Sequence, residues 1–290
     1  MAFESLAQLR EAGEKQGLYE AILADDCLDR AASPESSFRR MRGLYEAMRR
    51  SARCYDPSLR SHSGMAGGSG ALMRAYVQTG RTVCGPYIGQ VLAQALEMAE
   101  SNACMKCIVA APTAGSCGVL PAVLLPYQER EQLPEDAMVR ALYIAGGIGQ
   151  VIAARASIAG ASGGCQAEIG AAAAMGAGAL CYLADGSPEA VCHAAAIALK
   201  SLLGLVCDPV AGLVEVPCVK RNAAGAMIAM SSADLALAGI RSVIPPDEVI
   251  DAMREVGDRM DPSLRETGIG GVAGTPFGQE MRDRMAAEDD

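Results

Sequence analysis

The sequence has no tryptophan, only 4% aromatic residues and two histidines, His62 and His193. With so few rings, the core of this 290-residue chain has to be built from small side chains, and alanine and glycine dominate its middle. Small residues at a helix contact let the two backbones approach closely. Few segments show the alternation with period two that half-buried strands require. We therefore expect an all-α fold, a single mostly helical domain with glycine-rich loops.

An excess of basic residues is also missing, and the net charge of −9 argues against nucleic acid as a partner. The amino terminus has no signal-peptide pattern. The longest uncharged and mostly apolar run covers residues 169–184, which is short for a membrane span and suits a buried helix. We expect no membrane segment and a cytoplasmic location, in which the thiols stay reduced.

The charges that are present lie mostly at the two ends of the chain. Residues 61–240 carry 21 charged side chains, whereas the remaining 110 residues carry 38. This pattern predicts a helical cover of the same domain over residues 1–60, a core that carries the site over residues 61–280, and an acidic tail over residues 281–290. Ser33 and Pro34 predict a helix start. We expect the glycine-rich chain after residue 260 to be irregular and Glu288–Asp290 to be disordered.

Cysteine is abundant, with 11 residues. Cys207 and Cys218 are 11 residues apart in a segment with two prolines, so neither is expected in the middle of a helix. Cys165 lies 42 residues before Cys207 in a glycine-rich stretch. Three thiols delivered from loops can hold a metal ion or an iron–sulfur cluster. Ordinary buried cysteines are the alternative that spacing alone leaves open.

Two further loops have the composition of binding loops. Residues 61–70 contain four glycines and three serines, which no stable helix or strand accommodates, and they suit either a flexible linker or a backbone site for an anion. Residues 111–118 feed an apolar helix and contain the hydroxyls of Thr113 and Ser116. The unpaired N–H groups at a helix start favour a carboxylate. The sequence therefore predicts a carboxylate site at this second loop.

Two other candidates are weaker. Cys104 and Cys107 form a C-x-x-C pair that suits redox or zinc chemistry, but the chain has no second pair to complete a zinc site. His193 lies among alanines in a predicted helix, where a structural role is expected. Neither feature predicts a function.

Four segments, taken together and in order, resemble one known family. Residues 61–68, 111–123, 163–168 and 207–222 are similar to the catalytic α chain of iron–sulfur-dependent L-serine dehydratase. The resemblance spans most of residues 60–280. It implies an all-helical catalytic domain with a [4Fe–4S] cluster bound by Cys165, Cys207 and Cys218. It also implies a lyase that converts L-serine to pyruvate and ammonia in amino-acid degradation.

The resemblance also suggests roles for polar residues of these loops. His62 is the leading candidate for a catalytic group, either as the base or as a substrate contact, and Lys220 is a second candidate. Thr113, Ala114 and Gly115 are expected to hold the substrate carboxylate. Additional substrate contacts are expected from Ser61, Ser63 and Arg221. For these three residues and for Lys220, simple surface exposure is an equal alternative.

The chain departs from the family pattern in two ways. Some single-chain relatives end in a cysteine that occupies the open iron of the cluster, whereas no cysteine follows Cys218 here. Those relatives also carry a regulatory β domain on the same polypeptide. We therefore expect an uncapped cluster, a separate β chain that contributes to the assembly and is the alternative source of the base, and an oligomeric enzyme.

Three competing functions follow from the same sequence. A pyridoxal-phosphate dehydratase needs a Schiff-base lysine, and none of the four lysines lies in a convincing cofactor context. A cysteine desulfidase-type lyase would use the same cluster and release sulfide instead of water. A non-catalytic scaffold would bind zinc or a cluster without turnover.

Overall fold

The fold is all-α in a computed structural model that describes residues 3–288. The helices of this part of the chain are α1 (Leu6–Gln16), α2 (Leu18–Arg30), α3 (Pro34–Arg53), α4 (Ser69–Gln78), α5 (Gly85–Ala103), α6 (Val119–Glu131), α7 (Glu135–Arg155), α8 (Gly160–Gly163), α9 (Ala171–Leu183), α10 (Pro188–Lys200), α11 (Cys218–Leu237), α12 (Pro246–Arg259) and α13 (Pro276–Glu288). Within the described residues there is no strand, and one isolated bridge joins Cys207 to Arg265. The predicted fold class is confirmed.

Helix α9 is the centre of the core. Its residues 171–181 are all buried, and it packs against α6, α7, α10 and α11. A Cβ atom at Gly178 would overlap the side chain of Ile148 on α7. The helices therefore approach each other through small residues, which explains how a core with so few aromatic rings is filled.

The first three helices contribute to the same core. Leu6, Leu9, Tyr19, Tyr45 and Met48 belong to the main cluster of buried apolar side chains. The side chain of Ser33 caps α3 by accepting from the Ser36 N–H, and the predicted helix start at this position is confirmed. The division of the chain at residue 60 stays a prediction.

Helix α7 is the one described helix that is long and apolar enough to cross a bilayer. Of its most apolar window, 67% is buried inside the protein. Two acidic residues in its first turn, Glu135 and Asp136, and Arg155 at its end complement the helix dipole. Its apolar character is therefore accounted for by the core.

The carboxyl-terminal region differs from the expectation. The irregular chain ends at Pro276, where α13 begins, and Met281 and Met285 on one face of this helix are buried. The prediction of irregular structure was therefore wrong after Pro276, because a spacing of four residues between two buried methionines favours a helix. Of the predicted disordered end, Asp289 and Asp290 lie outside the described residues.

Candidate functional site

Cys165 is held in place by the residue that follows it. Gln166 is fully buried, its amide donates to the Met253 carbonyl oxygen at 3.0 Å, and its side-chain oxygen accepts from the Gly204 N–H at 2.9 Å. Residues Gln166–Gly170 form a π-helical turn that continues into α9. Such turns are rare and occur often at functional sites. The thiol therefore lies at the start of the central helix, fixed by α12 and by the loop after α10.

Cys207 lies in an extended segment beside the carboxyl-terminal region. Its N–H donates to the Leu264 carbonyl oxygen at 2.8 Å, and its carbonyl oxygen accepts from the Glu266 N–H at 2.7 Å. The next residue, Asp208, is buried, forms an ion pair with Arg221 at 2.8 Å and accepts from the Val272 N–H at 2.8 Å. This thiol is thus positioned by two later segments of the chain.

Cys218 is the first residue of α11 and follows Pro217. This agrees with the expectation that neither Cys207 nor Cys218 is in mid-helix. The buried side chain of Asn222, one turn later, donates to the Cys218 carbonyl oxygen at 2.9 Å and to the Gly115 carbonyl oxygen at 2.8 Å. Its side-chain oxygen accepts from the Gly118 N–H at 2.8 Å. Asn222 therefore ties the start of α11 to the loop of residues 111–118.

The three thiols are buried and lie within one another's electrostatic reach. Burial raises the pKa of Cys165 to about 11 and that of Cys218 to about 12, and it raises the pKa of Cys207 further. After burial, negative charge on Glu168 and then on Cys165 contributes to the raised pKa of Cys207, and negative charge on Cys165 contributes to that of Cys218. The apolar side chains of Val119 and Ile169 pack with Cys165 and Cys207. A bound cation would favour the thiolate forms that burial disfavours.

The chemistry of the donor set fits an iron–sulfur cluster. Among the residues that the structure describes, no group of three or more His, Cys, Asp or Glu side chains could hold one metal ion. In an iron–sulfur cluster each iron takes its own thiolate, so the sulfurs lie farther apart than they do around one ion. Three buried thiols from separate segments, two of them packed against apolar side chains, have the chemistry of the ligands that such a cluster uses.

Glu168 connects the loop of residues 111–118 to Cys207. One carboxylate oxygen accepts from the Thr113 hydroxyl at 2.7 Å, and the other accepts from the Cys207 thiol at 3.7 Å. Burial raises the pKa of Glu168 above its usual value, although the Thr113 hydroxyl opposes the change. The second loop is therefore in direct contact with a residue that also touches one of the three cysteines.

Three consecutive backbone N–H groups in this loop have no acceptor among residues 3–288. The Thr113 N–H donates to Ser116 Oγ, the Cys117 N–H to the Ala114 carbonyl oxygen, and the Gly118 N–H to Asn222. The N–H groups of Ala114, Gly115 and Ser116 remain available. A run of free N–H groups binds an anion. The predicted carboxylate loop thus offers its donors at residues 114–116, just before the start of α6.

The glycine-rich loop of residues 61–68 is ordered by a buried carboxylate. The hydroxyls of Ser61 and Ser63 both donate to Glu215 Oε2, the first at 2.6 Å, and all three side chains are buried. Arg284 on α13 donates to the Ser63 carbonyl oxygen at 2.6 Å. The expected alternative of simple surface exposure therefore does not describe Ser61 and Ser63. Between them, the side chain of His62 is exposed.

The remaining predicted residues lie at different places. Ala114 is exposed, as is Lys220 on the first turn of α11, and Gly115 is half-buried against Glu168. Arg221 turns inward, where it pairs with Asp208 and donates to the Val206 carbonyl oxygen at 2.8 Å. His193 lies away from these loops on α10, with Nε2 3.9 Å from Glu189. The structure thus brings the four loops together and leaves His193 outside them.

Four linking side chains were missed by sequence reasoning: Glu168, Asp208, Glu215 and Asn222. All four lie inside the loop segments that the sequence singled out. Their signal is a polar residue in an otherwise apolar stretch, and a side chain of this kind needs a buried partner. The sequence alone does not reveal which partner that is.

Comparison with known proteins places this arrangement among dehydratases. A family model described as serine dehydratase alpha chain matches residues 11–273. A protein named probable L-serine dehydratase, alpha chain, from Bacillus subtilis is 52% identical over 78% of this chain and 75% of its own length. The L-serine dehydratase alpha chain of Peptoniphilus asaccharolyticus is 41% identical over 94% of both chains. A probable alpha chain from Latilactobacillus sakei is 50% identical over 69% of this chain and 96% of its own length.

Proposed function

Since the chain belongs to the serine dehydratase alpha-chain family, we propose that it is the catalytic chain of an L-serine dehydratase that binds a [4Fe–4S] cluster. Cys165, Cys207 and Cys218 are the proposed ligands. The supporting observation is that Glu168 touches both Cys207 and the loop with three free N–H groups. A site for a carboxylate and three buried thiols are therefore linked through a single side chain.

The reaction removes water from serine. L-Serine loses its Cα proton and its β-hydroxyl group to give aminoacrylate and water. Aminoacrylate tautomerises to an imine, which takes up water and yields pyruvate and ammonia. When bound, the cluster supplies an iron without a cysteine ligand, a Lewis acid suited to hydroxyl and carboxylate oxygens.

The chain's own residues position the substrate. We assign the serine carboxylate to the N–H groups of Ala114, Gly115 and Ser116, with the Thr113 hydroxyl directed away from it toward Glu168. Fixed donors of this kind hold a substrate without reorganising during the reaction. Ser61 and Ser63 donate their hydroxyl hydrogens to Glu215 and so order the glycine-rich loop of residues 61–68. They therefore do not act as free hydroxyls toward the substrate. Lys220 and Arg221 stay proposed contacts, with Arg221 acting through Asp208.

His62 is the proposed acceptor of the Cα proton. The glycine-rich loop presents its side chain outward between two anchored serines, so that the ring is free to meet a substrate or a second chain. An imidazole is the usual proton acceptor near neutral pH. A separate β chain is proposed as partner because the relatives that match over most of their length are named alpha chains. A cytoplasmic location and an oligomeric assembly belong to the same proposal.

The proposal is tested by product and metal analysis on the full chain, purified anaerobically with iron and sulfide and assayed with and without the β chain. We expect bound iron and sulfide, and pyruvate and ammonia in equal amounts from L-serine. Zinc without iron would favour a non-catalytic scaffold and contradict the proposal. Sulfide released from L-cysteine faster than ammonia from L-serine would assign the site to desulfidation instead.

A further inference from the structure

A polar cavity lies away from the three cysteines, between α3, α4, α5 and α6. It has a volume of about 360 Å³ and is lined by Arg49, Arg53, Arg74, Gln94 and Glu129, among others. A neighbouring cavity of about 530 Å³ shares Arg53 and Arg74 with it. Cavities of this size accept small molecules. None of these residues takes part in the proposed dehydratase site.

Two of the four charged side chains that line the cavity are already paired. Arg74 donates two hydrogen bonds of 2.6 Å to the buried carboxylate of Glu97. Arg49 forms an ion pair with Glu135. These two arginines are therefore held in place and neutralised by their own partners. They line the cavity but offer no unpaired charge to a ligand.

Two opposite charges on the lining have no ion-pair partner in the described chain. Arg53 on α3 and Glu129 on α6 form no salt bridge, and they do not pair with each other. The pKa of Arg74 is raised chiefly by its hydrogen bond to Glu97, and the negative charge of Glu129 adds to this effect. Glu129 therefore faces the arginine side of the cavity without touching it.

A buried hydrogen-bond donor completes the lining. The side-chain nitrogen of Gln94 is buried and has no acceptor among residues 3–288. Leaving a buried donor unpaired costs folding free energy, so native structures usually provide a partner for it. A ligand in the cavity would supply the missing acceptor.

We propose that this cavity binds a free α-amino acid as a zwitterion, with its carboxylate on Arg53 and the Gln94 amide and its ammonium group on Glu129. A simple anion would leave the Glu129 carboxylate facing it. A simple amine would leave the buried Gln94 donor without an acceptor and would bring no charge opposite to that of the exposed Arg53. The zwitterion satisfies all three groups and leaves the rest of the cavity for its side chain.

The test is isothermal titration calorimetry of the full chain with L-alanine. This amino acid carries both charges but has no β-hydroxyl group to eliminate. We expect saturable binding to the wild type. Arg53→Gln and Glu129→Gln should each raise the Kd at least about tenfold, the ratio that corresponds to about 1.4 kcal/mol. Arg50→Gln and Glu46→Gln, at exposed positions of α3 outside the cavity, are the matched controls and should leave the Kd unchanged.

Three results would overturn the proposal. The first is no measurable binding of L-alanine in the low-millimolar range. The second is an unchanged Kd in both cavity variants, which would place the bound amino acid elsewhere. The third is equal binding of propionate, which lacks the ammonium group. Serine turnover is a separate measurement, so failure here leaves the proposed dehydratase function untouched.

Discussion

The hydroxyl of Thr113 donates to Glu168 at 2.7 Å, and the other oxygen of the same carboxylate lies 3.7 Å from the Cys207 sulfur. One side chain therefore connects the loop with free N–H groups to a proposed cluster ligand. A substitution at Thr113 or at Glu168 should therefore change the energetic effect of a substitution at the other.

The coupling between these residues can be measured with a double-mutant cycle. Thr113→Val and Glu168→Ala should be non-additive in the free energy of unfolding by about 0.5–3 kcal/mol, because each substitution removes the same hydrogen bond. Urea unfolding of the chain without its cluster provides the measurement. Glu168→Gln keeps an oxygen for Thr113 and should behave more like the wild type.

Thr79→Val is the control partner in that cycle, because Thr79 lies at the end of α4 and bonds only to its own turn. It should be additive with Glu168→Ala. Additivity of Thr113→Val with Glu168→Ala would show that the 2.7 Å contact carries no energy in solution.

Asn222 should be the most sensitive polar residue of the site. Asn222→Ala leaves the Gly118 N–H and the carbonyl oxygens of Gly115 and Cys218 without their partner. We expect a loss of about 2–3 kcal/mol in the free energy of unfolding, since buried polar groups without partners cost about 1–3 kcal/mol each and part of this is recovered by water. Asn102, the other asparagine of the chain, makes no side-chain hydrogen bond in the described chain, and Asn102→Ala should change stability little. Equal effects of the two substitutions would contradict the role assigned to Asn222.

The helices could be predicted from the sequence, but the contacts between loops could not. Helix starts such as Ser33–Pro34 depend on local chemistry and were correct. Helix α13 was missed because the glycine-rich composition before Pro276 was extended to the residues after it, where the spacing of the two buried methionines indicates a helix. The four loops were found from their content of cysteine, glycine and proline, and their resemblance to a family assigned them to one site. Glu168 is 55 residues from Thr113, Glu215 is 154 from Ser61, and Asn222 is 104 from Gly118. Pairings over such separations depend on helix packing, which no local pattern contains.

Glu100 should make stability depend on pH near the glycine-rich loop. Burial alone would raise the pKa of Glu100, but hydrogen bonds from the Gly70 N–H, the Tyr55 hydroxyl and the Ser69 N–H outweigh it and hold the pKa below its ordinary value of 4.5. Because the pKa of Glu100 is lower in the folded state, its contribution to stability is fully present above pH 4.5, the ordinary pKa. This contribution is lost as the pH falls through the lower pKa of the folded state.

The measurement is the difference in unfolding free energy between the wild type and Glu100→Gln across the acidic range. We expect the wild type to be more stable by about 1–3 kcal/mol at neutral pH. The difference should shrink only below pH 4.5. Glu46→Gln, at an exposed position of α3, serves as the control. A difference that grows as the pH falls would have the wrong sign.

His62 should be needed for turnover and not for folding. Its side chain is exposed, so His62→Ala should leave the unfolding free energy within about 0.5 kcal/mol of the wild type. Loss of a general base should lower kcat for pyruvate formation by about a hundredfold to ten-thousandfold while iron and sulfide stay bound. His193→Gln, at the other histidine, should keep turnover. Near-normal kcat in His62→Ala would remove it from proton transfer and leave that role to the β chain.

The proposed cluster is tested most directly by iron and sulfide analysis of single cysteine variants, reconstituted anaerobically and checked for helix content by circular dichroism. Cys165→Ala, Cys207→Ala and Cys218→Ala should each lose the visible absorption of the cluster together with most of the iron and sulfide. Cys181→Ala, which removes a buried thiol elsewhere in the core, should keep the visible absorption, the iron and the sulfide. Retention of a full complement of iron and sulfide in any of the first three variants would contradict the assigned ligand set.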